Sequence, residues 1–317
     1  MRSRKLILVS FAVCSLLLLS SMICGAQAVE KAQAVLKDGT HEKSAERRVA
    51  AVRVLGLITE DPQAIQMAEN ALNDRSPLVR SAAATALGQM HASGADAELR
   101  QALNDKDLHV VLAAAHALRQ LNDNSCYEVY YALLTGERKN NSGLIKQETQ
   151  ILHDPKQVAE MGFNEGIGYV PFASTGWEAV ETIMKDRKDG AAAKAALISA
   201  LATDPDAHTN ELLVTASQNT NWVIQVAALE AIAKRQNPAL SPKIEKLLND
   251  SKNEVKYTAA AAIMRLNDVA KVRQATAHDR SAQPGNQAEQ RTACVIAALA
   301  ANKPAQGDTE CSVLSAN

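Results

Sequence analysis

Apolar positions along this chain recur at i, i+3, i+4, i+7 and i+8 with polar residues between them, the spacing of a helix that buries one face. Val79, Ala82, Ala83, Ala86 and Leu87 set the pattern. The block Val79–Leu87 returns 31 residues later as Val110–Leu118, and again as Ile224–Ile232 and Val255–Ile263, themselves 31 apart. Weaker copies are Arg47–Leu55, which lies 32 residues before the Val79 block, and Ala193–Leu201, which lies 31 before Ile224. Alanine dominates the blocks and is the best helix former. Strands would need alternation and β-branched residues. A shorter helix is predicted ahead of each block, over 64–72, 97–103, 211–217 and 244–248. Leu-Asn-Asp closes three of these, at 72–74, 103–105 and 248–250, where the short polar side chains are expected to end one helix and cap the next. Asp61-Pro62 and Asp204-Pro205 fall in turns, because proline cannot continue a helix.

Each unit thus reads as helix A, tight turn, helix B. Val79, Leu87 and their equivalents supply the large apolar side chains, each contributing about 1.5–3 kcal/mol when fully buried. One unit has too few of them to offset the ordering of its backbone at roughly 1–2 kcal/mol per residue, so the units must stack.

The pattern Val-Arg-x-Ala-Ala-Ala-x-Ala-Leu-Gly at Val79–Gly88, with its Asp-Pro and Leu-Asn-Asp turns and a period near 31, resembles HEAT repeats. It is similar above all to the short variety called PBS-lyase HEAT-like repeats, over 44–136 and 176–302. The resemblance implies an all-α fold: an α-solenoid, a right-handed superhelix of seven or eight helix pairs whose helices B line a concave face. It implies a scaffold that binds proteins, although some relatives are chromophore lyases or their chaperones. It also implies that an arginine at the Arg80 position pairs with an aspartate at the Asp74 position of a neighbouring unit. Arg48 and Lys256 match and Val111 and Ile224 do not, so an incomplete ladder is expected.

Arg2, Arg4 and Lys5, the apolar run from Leu6 to Ile23 and the Ala26-Gln27-Ala28 site read as a secretory signal peptide over 1–28, cut after Ala28. A secreted or periplasmic location follows, the other reading being an uncleaved anchor. The whole chain carries a net charge of −1, and loss of the three leader cations takes it to −4, which offers no footprint for nucleic acid. No later run is long and apolar enough to span a membrane. Cys126, Cys294 and Cys311 remain after cleavage. A Cys294–Cys311 disulfide would pin the tail at 303–317 over the last apolar helix; the alternative is that none is paired, and Cys126 reads as a small core residue.

The repeat phase breaks in the middle. Val110 and Ala193 are 83 residues apart, two periods and about 21 residues over, so an insertion lies at about 137–176. Tyr127, Tyr130, Tyr131 and Leu134 still mark a helix A there, with further helices over 144–152 and 158–161. Residues 162–177 hold four of the ten aromatic residues and four of the fourteen glycines. Phe163, Tyr169, Phe172 and Trp177 are the candidate partner-binding residues, as aromatic anchors on a loop projecting from a repeat array. The same rings could instead plug a distorted repeat, and both readings stand.

Catalytic chemistry is not legible. His109 and His116 lie two turns apart on one helix, too far for a shared metal, and there is no His-Glu-x-x-His, Gly-x-Ser-x-Gly or Cys-x-x-Cys. Glu165 is a lone carboxylate. Gly166-x-Gly168 lacks the setting of a phosphate loop. The expectation is a non-catalytic scaffold for a protein or peptide, with no cofactor and no metal; a lyase-like enzyme and a purely structural envelope subunit are the alternatives.

Overall fold

The computed structural model describes residues 26–59, 61–135 and 191–282, and every regular element among them is helical. The fold is an all-α solenoid of paired helices. Helix α1 covers 26–40. It is followed by α2 (Ala45–Leu55), α3 (Pro62–Ala71), α4 (Pro77–Gln89), α5 (Asp96–Ala102), α6 (Leu108–Gln120) and α7 (Ser125–Thr135). Beyond the insertion come α8 (Ala191–Ala200), α9 (His208–Ala216), α10 (Trp222–Arg235), α11 (Ser241–Ile244) and α12 (Asn253–Ala282). Short 3₁₀ turns at Ser93–Ala95, Leu201–Thr203, Pro238–Leu240 and Glu245–Asn249 complete the connections. The expected helices over 144–152 and 158–161 lie outside the described residues.

The repeated turn has a different mechanism from the one the sequence suggested. Asp74 does not cap α4. Its Oδ1 accepts the Ser76 amide at 2.8 Å, holding a tight turn two residues before the helix cap. Asp105 does the same for the Asp107 amide at 2.9 Å, Asp123 for Ser125 at 2.8 Å and Asp250 for Lys252 at 2.8 Å. The cap falls to the next polar residue. Asp107 accepts from the His109 amide and Asn221 from the Val223 amide. At α3, Asp61 accepts from Gln63 and Ala64 while Pro62 fills the first helical position, where a missing N–H is harmless. Helices α4, α6 and α10 stop at equivalent residues in the left-handed region, His91 (φ 53°), Asn122 (φ 62°) and Gln236 (φ 53°).

Helix α2 packs on α4, α4 on α6, α6 on α7, and α8 on α10. Val79, Leu87, Val110, Leu118, Ile232 and Ile263 are fully buried. So are the alanines beside them, Ala83, Ala114, Ala228 and Ala260, which let neighbouring helices approach closely. Gly88 marks a close approach of one helix to the backbone of the next. A Cβ there would lie 2.8 Å from the Ala117 Cα, a backbone atom that cannot step aside. At Gly56 the obstacle is only the flexible Gln89 side chain, with Oε1 at 2.1 Å from an added Cβ. Gly88→Ala is therefore expected to cost about 1–3 kcal/mol, as overpacking does. Gly56→Ala should cost little. Urea denaturation of the two variants checks the contrast.

The ends of the repeat array meet. Helix α1 is helix A of the first unit, and it also packs on the last unit. Lys31 Nζ donates to Asn249 Oδ1 at 2.7 Å, across 218 residues of sequence. A Cβ on Gly39 would lie 2.7 Å from both Ala51 Cβ on α2 and a ring carbon of Tyr257 on α12. Ala32, Leu36 and Tyr257 belong to one core that runs from Ala32 to Leu266. The last unit thus takes the place that a unit ahead of the first would occupy.

Packing divides the chain after Asn267. The described part of the second unit, 268–282, is the carboxyl-terminal half of α12. There Lys271 pairs with Asp268 at 3.2 Å, the Thr276 hydroxyl donates to the Val272 carbonyl, and Val272 is exposed.

Candidate functional site

Phe163, Tyr169, Phe172 and Trp177 lie outside the described residues, as do Cys294 and Cys311. Among the described residues, the surface that stands out is carried by helices B.

Four positions per helix B, at i, i+3, i+7 and i+11, fall on one stripe. On α10 these are Val223, Val226, Glu230 and Lys234; the first three are buried. On α12, Tyr257 and Ala261 of the same stripe are buried. On α4 and α6 the stripe opens. Leu78 is 57% exposed, Gln89 is exposed and Thr85 half-buried, while Ser81 between them is buried. On α6, His109, Leu112, His116 and Gln120 are all half-buried. The two helices pack side by side, so their stripes form one face of two apolar knobs amid amide, hydroxyl and imidazole groups.

That face is organised. The Gln120 side chain reaches back across Gly88 of the preceding unit, its Oε1 2.6 Å from where a Cβ would sit. Its Nε2 lies 3.0 Å from His116 Nε2. Gln89 lies in the same way across Gly56. Burial, with the Arg119 charge, pulls His116 below the usual imidazole range, so the ring is neutral near pH 7. A neutral imidazole and two carboxamides can each donate and accept.

Beneath the turns runs the arginine ladder. Arg48 grips Asp74 of the next unit with two bonds of 2.7 and 2.8 Å. Arg80 grips Asp105 with two of 2.7 Å. Each arginine also donates to backbone carbonyls of its own turn, Arg48 to Glu42 and Lys43, Arg80 to Asp74. Burial pushes the Asp74 carboxyl up, but bonds from Arg48 and the Ser76 amide outweigh it, and the net shift is downward. Val111 breaks the ladder as expected; from a different helix, Arg100 supplies the partner of Asp123 at 2.6 Å. Bonds from the Ser125 hydroxyl and amide, and then from Arg100, hold Asp123 down at about 2. Lys256 lies over the Tyr257 ring, 5.2 Å from its centre. In the carboxyl-terminal units the anchor is Arg235, which donates to Asn210 Oδ1 and to the carbonyls of Leu201, Asp204 and Asp206.

His109 and His116 turn to separate partners, Asp107 and Gln120. Among the described residues, no group of histidine, cysteine and carboxylate side chains could hold a metal ion. No helix there is long and apolar enough to cross a membrane. Cys126 is a free, fully buried thiol that donates to the Asp123 carbonyl, and burial pushes its pKa up. The open stripe went unremarked in the sequence. Its signal was the block's seventh position, which reads Arg53, Thr85, His116, Ser199 and Glu230 in five of the six blocks and Ala261 in the last.

The HEAT repeats family model matches residues 33–119 and 69–148. No curated protein matches the chain. Among solved structures it is similar to human deoxyhypusine hydroxylase in complex with glycerol, at 18% identity over 79% of this chain and 99% of that one, with a TM-score of 0.29. It is also similar to an engineered protein, at 18% identity over 75% of this chain and 97% of that one, with a TM-score of 0.24. Residues 33–148 thus match HEAT repeats, and the turn and ladder geometry of α2 to α7 agrees with that match.

Proposed function

We propose that this chain is an exported, non-catalytic scaffold that holds a peptide or protein segment along the open stripe of α4 and α6. The observation that carries the reading is a contrast within one molecule. The two middle positions of the stripe are buried on α10 (Val226, Glu230) and α12 (Tyr257, Ala261), whereas on α6 Leu112 and His116 are both half-buried and on α4 Leu78 and Gln89 are exposed. Two apolar knobs on adjacent units give a segment something to bury, and groups that both donate and accept suit its backbone amides. The aromatic residues Phe163, Tyr169, Phe172 and Trp177 remain candidates for a second contact with the same partner. Export rests on the leader and its Ala26-Gln27-Ala28 site.

The test uses a partner captured by the mature chain from its native envelope fraction. The variant Leu112→Glu with His116→Ala should weaken that partner's binding at least tenfold while the helical circular dichroism stays unchanged. Gln66→Ala with Glu69→Ala, on α3, should leave binding intact. Equal binding by the stripe variant would place the interface elsewhere.

A further inference from the structure

We propose that helix α1 is a closing strap: it ties the first and last units so that the two ends of the array open together. A repeat array normally presents an apolar edge at each end, and dedicated capping units with a polar outer face cover those edges. Here the edges cover one another. Leu36 and Tyr257, both fully buried, are large side chains that opening would bare. Gly39 allows the approach, because any Cβ would meet the Tyr257 ring on one side and Ala51 on the other. The obstacle is a buried ring and a helix-borne methyl, neither of which can swing clear as an exposed side chain would. The Lys31–Asn249 bond fixes the register at the exposed margin.

A contact between segments far apart in sequence couples their opening when neither can unfold without breaking it. The anchors Ala32, Leu36 and Gly39 all follow Ala28, so removal of a leader at that point takes the first three residues of α1 and leaves these anchors in place.

The experiment is hydrogen exchange followed by mass spectrometry on the full mature chain. In the unaltered protein, amides of 29–40 and 253–267 should exchange at a common opening rate. Gly39→Leu should speed exchange at least tenfold in both segments and leave 77–89 and 108–120 unchanged. Lys31→Ala should act in the same two segments with a smaller effect, and it serves should the first variant fail to fold. If 29–40 loses protection in either variant while 253–267 keeps it, the strap does not couple the ends and the proposal fails. It fails equally if both segments are unaffected.

Discussion

Replacing Glu230 by methionine should stabilise the protein by about 2–3 kcal/mol at pH 8 and flatten the acid side of its stability profile. Glu230 sits on α10 with its side chain fully buried, and Oε1 has no hydrogen-bond partner. Burial raises its pKa to about 7, opposed only by the Lys234 charge one turn along. The folded state therefore holds a proton that the unfolded chain releases near 4.5. Between these values the folded form binds more protons, so stability falls as pH rises from about 4.5 to about 7 and stays low above. A displacement of that size corresponds to roughly 3 kcal/mol. Methionine keeps the length, removes the charge and leaves no orphaned acceptor. Thermal melts of both proteins at pH 5 and pH 8 test this: the gain should be clearly larger at pH 8. An equal gain at both would mean that the carboxyl is solvated or paired.

The second large effect is expected at Arg48. Its guanidinium is nearly enclosed, holds Asp74 with two bonds and satisfies two backbone carbonyls. Arg48→Ala should cost about 3–5 kcal/mol, because truncation leaves a partly buried carboxylate unpaired. Arg48→Lys should recover only part of this, since an ammonium cannot reproduce the planar fork. Asp74→Asn separates the two roles of the aspartate: it keeps the acceptor that holds the Ser76 turn and removes the ladder charge. It should therefore cost less than Asp74→Ala in urea denaturation. Because the Asp74 pKa is depressed, its stabilising contribution is fully present above its unfolded value of about 3.8 and is lost as pH falls through the lower folded value.

Most of the helix pairing was legible because it rests on local signals. The period of 31, the alanine-lined face and the Asp-Pro breaks are written into short windows, and α3, α4, α5 and α6 lie within two residues of their expected positions. The turn aspartates were recognised but given the wrong task. Capping and turn-holding use the same side chain and differ only in which amide it meets. Helix α1 was missed as an element because it follows directly on the leader and lacks the alanine block. Its packing on α12 could not be read at all, since a contact across 218 residues leaves no periodic trace. The open stripe was hidden for a related reason. Each helix B has the same pattern, and whether Glu230 is sealed or His116 open depends on what covers it.

The central claim is that a partner lies along α4 and α6. Hydroxyl-radical footprinting of the mature chain, alone and with its captured partner, tests it most directly by reading side-chain accessibility. The account predicts that Leu78, Leu112 and His116 become protected on binding while Met67 on α3 does not change. Protection confined to α3 and α5, with Leu112 and His116 still reactive, would contradict it.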